Sequence, residues 1–275
     1  MRDNFNGILI MSDLDGTFFG KHATIIPRNV EAIKYLNSKG GRFTIASGRM
    51  HANLSVAGEV APVVANAPLS LSNGSYVYDF TAKEIIDPVF LADDIIIAMI
   101  DFAKKHYPEV SFRVSTTEGF YSEEYVGAYK GLPETNYHIL PMSEWPHGNW
   151  FKLVFSGTKE QTYALEQDLK NELGPVAEFC RSGHRLLEIQ AKDCTKASRI
   201  PWFKDYYKKQ GIDITVIACG DFDNDKEMLA AADIAICPSN ALDTVKEICD
   251  YCLCDHTEGL IADIIEKIEQ GIIKV

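Results

Sequence analysis

The chain opens with an unbroken apolar run, "GILIMS" over residues 7–12. A run without polar alternation predicts a parallel strand covered on both faces. In "PRNVEAIKYLNSKGG" (27–41), Val30, Ile33 and Leu36 fall on one face between an opening Pro27 and a closing Gly40-Gly41, which predicts a helix. "RFTIAS" (42–47) predicts a second strand, and "APLSLSNGSYVYD" (67–79) contains another with Asn73-Gly74 as a turn signal. The same rhythm returns at the end of the chain. "ITVIACGD" (214–221), "IAICPS" (234–239) and "YCLC" (251–254) predict strands; "NDKEMLAAA" (224–232), "ALDTVKEICD" (241–250) and "EGLIADIIEKIEQG" (258–271) predict helices, the last capped by Gly271.

Alternating strand and helix predicts an α/β, Rossmann-like, mostly parallel sheet with helices on both faces. The middle differs. Helical "ADDIIIAMIDFAKKHYP" precedes the strand-like "VSFRVST", "GFYSEEY" and "WFKLVFSG"; helical "TKEQTYALEQDLKNELG" and then "AEFCRSG" follow. Runs of strands between helices predict an inserted α+β domain with a largely antiparallel sheet. The expected boundaries put 1–81 and 186–275 in the core and 82–185 in the insertion. There is no internal repeat or low-complexity tract.

Composition narrows the function classes. Hydrophobic residues make up 46% and charged residues 24% of 275 residues, ordinary globular usage, enough for one large domain with a sizeable insertion. No apolar run is long enough to span a membrane, and "GILIM" is too short for a secretory h-region, so a cytoplasmic location is expected. The formal net charge of -12 argues against a nucleic-acid partner. A small anionic substrate is compatible with that charge only if its site is made locally positive. Of seven cysteines, Cys249, Cys252 and Cys254 cluster, with His256 following. A zinc site and thiols packed along the last strand are the two readings; packing is favoured, because no distant second pair completes a zinc framework.

Three predicted parallel strands end in polar residues that stand out. They are Asp13-Leu14-Asp15-Gly16-Thr17, Ser47-Gly48-Arg49 and Gly220-Asp221, the last followed by Asn224-Asp225. Ligands of open α/β sheets bind outside the carboxyl ends of the strands, so these segments can meet at one site. Lys196, after a possible N-cap at Thr195, falls in the first turn of a predicted helix. There a cation opposes the helix dipole unless both face an anion. One carboxylate of the first pair can attack a phosphorus atom and form an aspartyl-phosphate. The second, on the same side of an extended segment, can protonate the leaving oxygen and then deprotonate a water. Clustered carboxylates suit Mg2+, which neutralises charge between two anions. Ser47 and the Gly48 N–H can hold phosphoryl oxygens, and Lys196 can balance charge.

"DLDGT", "SGR", a Lys at a helix start and "GDFDND", in this order, resemble the four motifs of the haloacid dehalogenase superfamily, and most closely its Cof-type phosphatases of subfamily IIB. "GDFDNDKEML", "AADIAICPSNALDTVKEICDYC", "TEGL" and "AIKYLNSKGGRFTIASGRM" extend the resemblance over the two core segments. The insertion matches only by position, where the family carries a type C2 cap. The resemblance implies a Mg2+-dependent phosphatase of small phosphorylated metabolites, sugar phosphates foremost, with a cap that excludes water and sets specificity. It implies Asp13 as nucleophile and Asp15 as acid/base. Asp13, the Asp15 carbonyl and Asp221 become metal ligands; Ser47, Gly48, Lys196 and Asn224 become phosphate or substrate contacts. Asp225 would order the metal shell or Lys196, and Arg49 would support the site or reach toward substrate. Phe222 stands where the family has small or polar residues, and Pro201 lies too deep in a helix begun at Lys196.

The alternatives are a phosphotransferase or mutase of the phosphomannomutase kind, which differs only in the acceptor, and a non-catalytic sugar-phosphate-binding regulator. Asn73-Gly74, His22 and the insertion's Arg113, Lys152, His184 and Arg185 are further candidate substrate contacts, each weighed against an ordinary turn or a solvated charge.

Overall fold

Strands as apolar as "ILIMS" are solvent-free only if both faces of their sheet are covered. The computed structural model, which describes residues 4–54, 56–124 and 137–275, has that arrangement. The first segment runs β1 (Ile8–Ser12), α1 (Pro27–Ser38), β2 (Arg42–Ile45), α2 (Val56–Val64), β3 (Leu69–Leu71), β4 (Tyr76–Asp79) and β5 (Glu84–Ile86). The middle contains α3 (Asp93–His106), β6 (Ser111–Thr116), β7 (Phe120–Ser122), β8 (Tyr137–Ile139), β9 (Trp150–Ser156), α4 (Lys159–Leu173), β10 (Ala177–Cys180) and β11 (Leu186–Ala191). The last segment runs α5 (Arg199–Lys208), β12 (Thr215–Cys219), α6 (Lys226–Ala231), β13 (Ile234–Pro238), α7 (Asp243–Lys246), β14 (Tyr251–Leu253) and α8 (Leu260–Glu269). Tyr125, at the end of the strand expected over 119–125, lies outside the described residues.

The core sheet has the order β14-β13-β12-β1-β2, every pair parallel. This is the expected α/β fold. Leu9 and Met11 pack in one cluster with Ile200 and Phe203 of α5 and Met228 and Leu229 of α6. Ile8 and Ile10, which point the other way, are equally buried. Asn29 of α1, fully buried, donates to the Phe18 carbonyl and accepts from the Ala262 N–H of α8, tying two helices to the turn after β1. An antiparallel sheet β3-β4-β5 joins through a bridge between Ala46 and Ser70.

The inserted unit is a six-stranded sheet, β10-β11-β9-β6-β7-β8, antiparallel except at β7–β8. Ile96, Met99 and Ile100 of α3 and Leu165 and Leu169 of α4 pack on Val114, Leu153, Leu187 and Ile189 of the sheet. Truncating a buried leucine such as Leu153 to alanine costs about 2–5 kcal/mol.

The chain divides into one unit of residues 1–87 and 195–275 and a second of 88–194, later on both sides than the expected 81/82 and 185/186. Strand pairing is the reason: β5 hydrogen-bonds to β4, and β11 to β9. Elements that the sequence did not predict include α2, β5, β8 and β11. Pro62 inside α2 masks that helix in the sequence. The helix expected from Lys196 is also corrected. Lys196–Ser198 is a 3-10 turn, and α5 proper starts at Arg199. Pro201 is then the third residue of α5, where the tolerated first turn accommodates it.

Candidate active site

The core sheet delivers three strand ends to one place. Asp13 directly follows β1, and its N–H donates to the Cys219 carbonyl at the end of β12. The chain does not stay extended after Asp13: residues Leu14–Phe18 form a tight turn, with Gly16 at φ +82. That corrects the expectation that Asp13 and Asp15 share one side of a strand. Glycine is required at 16 for a second reason. A Cβ there would lie 2.3 Å from Oδ2 of Asp221, so the Asp221 carboxylate occupies the notch that Gly16 leaves. Thr17 Oγ1 donates to Asp221 Oδ1 at 3.0 Å.

Lys196 is the centre of charge. Its Nζ lies 2.6 Å from Asp13 Oδ1 and 2.6 Å from Asp225 Oδ1, and it is almost completely buried. Asp225, fully buried, accepts from the Asp221 and Phe222 N–H groups through Oδ2. It therefore fixes both the lysine and the loop that carries Asp221. Burial pulls the Lys196 pKa down, but Asp13 and Asp225 outweigh it and hold the ammonium above its ordinary value. Burial lifts Asp13 to about 8, with Asp225 and Asp221 adding to the rise and Lys196 opposing it. Burial, then Asp225, lifts Asp221 to about 6. One cation does not balance three clustered carboxylates, two of them buried.

Oxygens of Asp13, Asp221 and Asp225 lie within 4.8 Å of one another. Hard oxygen donors crowded in this way, with two carboxylates pushed toward their protonated forms, fit a small divalent cation. Asp225 is committed to Lys196 and two N–H groups, so Asp13 and Asp221 are the carboxylates free to hold it.

The other expected residues are placed as follows. Ser47 is buried; its Oγ accepts from the Arg49 N–H, and its carbonyl accepts from the Asn73 N–H. A Cβ on Gly48 would lie 2.8 Å from Asn73 Oδ1. Asn73-Gly74 is thus a left-handed turn packed against Ser47-Gly48 on one side and the Thr195 carbonyl on the other. Asp15 is turned toward solvent and is held by Arg49, whose Nη2 lies 2.8 Å from its carboxylate. Asn224 is half-buried in the turn Asp223–Asp225. His22 is exposed in the short turn Lys21–Ala23.

In the inserted unit, Lys152 is buried against Glu188 at 2.7 Å, and the Arg113 guanidinium lies 4.4 Å from the centre of the Phe120 ring. His184 and Arg185 are exposed on the loop before β11. The cysteines and His256 do not form one ligand set among the described residues. Cys254 lies beside Asp263, and the His256 ring meets the Phe19 carbonyl.

Two contributors have roles that the sequence does not reveal. Thr17 orients Asp221, and Asn240 donates through Nδ2 to the Gly16 carbonyl at 2.9 Å. Asn240 follows β13, the one central strand end whose polar residue was passed over.

The profile of the haloacid dehalogenase-like hydrolases matches residues 10–265. The chain is 25% identical to the pyridoxal phosphate phosphatase YbhA of Escherichia coli, over 94% of this chain and 97% of that protein. It is also 25% identical to an HMP-PP phosphatase of Serratia proteamaculans, over 86% and 85%. A solved structure described as a subclass IIB sugar phosphatase superposes with a TM-score of 0.78 at 21% identity, covering 97% of this chain and 100% of that one, a likeness of fold.

Proposed function

The chain belongs to the haloacid dehalogenase-like hydrolase family, and from that premise we propose that it is a phosphatase of small phosphorylated metabolites that works through Asp13. The observation that carries the reading is the charge arrangement: Asp13 pinned by Lys196 beside Asp221 and Asp225, at the carboxyl ends of parallel strands.

Lys196 engages Oδ1 of Asp13, so Oδ2 is the candidate nucleophile. It attacks phosphorus, the bond to the leaving oxygen breaks, and an aspartyl-phosphate forms. Asp15, released from Arg49, gives the proton to the leaving oxygen. It then takes one from the water that displaces Asp13 from phosphorus. Ser47, the Gly48 N–H and Lys196 hold the phosphoryl oxygens, with Asn224 as a further substrate contact. Asp13, Asp221 and the Asp15 carbonyl would hold Mg2+, which when bound supplies the positive charge that lets one anion approach another.

Substrate class follows the relatives' names only as far as "small and phosphorylated". Sugar phosphates and pyridoxal phosphate are the first compounds to assay. The proposal includes the inserted unit as a C2-type cap that selects among them. The test is phosphate release from such a panel with Mg2+, for the wild type and Asp13→Asn. Equal rates for the two proteins would sink the proposal.

A further inference from the structure

Outside this site three thiols, Cys237, Cys249 and Cys252, gather at the far edge of the core sheet. Cys237 of β13 and Cys252 of β14 are directly opposite in the parallel register. Residues opposite each other on neighbouring strands face the same side of the sheet. Cys252 and Cys249 are close enough to the Cys237 thiol to shift its titration. Cys237 is buried, whereas Cys252 is exposed on the edge strand. Adjacent strands run about 4.8 Å apart, inside the span of roughly 4.4–6.8 Å between Cα atoms over which a disulfide closes. An accessible thiol beside a sheltered one is the pairing that thiol–disulfide exchange needs.

We infer that Cys252 and Cys237 are a redox modification site that reacts with low-molecular-weight disulfides and closes to a reversible intrachain disulfide. The Cys252 thiol loses its proton to solvent and the thiolate attacks one sulfur of the small disulfide, whose S–S bond breaks and releases one small thiolate, which takes up a proton. The Cys237 sulfur then attacks Cys252 Sγ, the mixed disulfide breaks, and the second small thiol leaves with the Cys237 proton. Two protein thiols are oxidised and one small disulfide is reduced. Burial and the neighbouring Cys237 raise the Cys252 pKa, so the reaction speeds up as pH rises.

Both strands lead directly into the scaffold of the acidic site. After β13, Asn240 donates to the Gly16 carbonyl at 2.9 Å, and the Leu242 N–H donates to the Asp221 carbonyl at 3.1 Å. After β14, the His256 N–H donates to Asn240 Oδ1 at 3.0 Å. A bond between the strands therefore acts on the clamp that holds Gly16 and Asp221. The resulting loss of turnover is the part of this inference that rests on the proposed phosphatase reading.

The test incubates the intact protein with oxidised glutathione at about pH 8.5, where thiolate is available, followed by non-reducing digestion and mass spectrometry. The expected product is a Cys237–Cys252 peptide pair, two hydrogens lighter than the separate thiol peptides. Turnover should fall and return with dithiothreitol, and Cys252→Ser should keep its turnover under the same treatment. The inference is overturned by persistent free thiols, by a mixed disulfide that never closes, or by linkage of a different pair. Unchanged turnover in the linked protein, or an equal loss in Cys252→Ser, overturns the regulatory part. A reduced protein without phosphatase activity would count against the proposed function, while the peptide masses would still decide the linkage.

Discussion

Each unit of the molecule buries a lysine among acids, and the two settings differ. In the inserted sheet Lys152 pairs with Glu188, and Ser182 also donates to that carboxylate. In the core Lys196 faces Asp13 and Asp225, with Asp221 beside them. A buried ion pair replaces lost hydration and helps to specify a fold. An acid-rich cluster leaves negative charge over, lifts the pKa values of Asp13 and Asp221, and marks a place that gains from a cation or a reacting phosphate.

The largest effect that sharpens this contrast is loss of the nucleophile. Asp13→Asn should lower kcat by about 10⁴-fold or more. Because it removes an unfavourable buried charge, its metal-free melting temperature should stay at or above that of the wild type. Asp15→Asn should cost about 10²–10⁴-fold in kcat for substrates with poor leaving groups, and less where the leaving group needs no proton. Steady-state rates on both substrate types check this.

Next come the lysines. Lys196→Met and Lys152→Met should each destabilise by about 3–5 kcal/mol in urea melts, because each strands a buried carboxylate. In the inserted unit the double variant Lys152→Met/Glu188→Leu should recover most of that loss. If both lysine variants fall short of about 1 kcal/mol, the comparison loses its energetic basis.

The smallest effect is the pH dependence. The folded-state values of Asp13 and Asp221, about 8 and about 6, lie above the ordinary 3.8. Between those limits the folded protein holds more protons than the unfolded chain, so their contribution to metal-free stability falls as pH rises through the window. A divalent cation needs ionised carboxylates, so the stabilisation by added Mg2+ should grow over the same window. Thermal melts with Mg2+ and with chelator, from about pH 5 to about pH 9, would contradict this if the Mg2+ increment were flat or shrank.

The strand ends of the core were legible because a parallel strand buried on both faces leaves a continuous apolar signature, and Asp13, Ser47 and Asp221 interrupt it. What lay hidden depends on tertiary approach. The tight turn after Asp13 follows from the fit of Gly16 against Asp221, two residues far apart in sequence. The outward turn of Asp15 follows from Arg49, on another strand's loop. Asn240 carries no motif of its own and matters only because it reaches the Gly16 carbonyl. In the insertion β6 and β9 were legible as strand-like runs, but burial of Arg113 and Lys152 has no sequence signature, since isolated cations are more often solvated.

The central claim is that Asp13 carries the phosphoryl group. Its most direct test uses Asp15→Asn with p-nitrophenyl phosphate, whose leaving group needs no acid, quenched in acid during turnover and digested for mass spectrometry. The account predicts a peptide that carries one phosphoryl group on Asp13, because the step that would release it lacks its base. Nitrophenol release without a modified Asp13 peptide, or with the phosphoryl group on another residue, would contradict it.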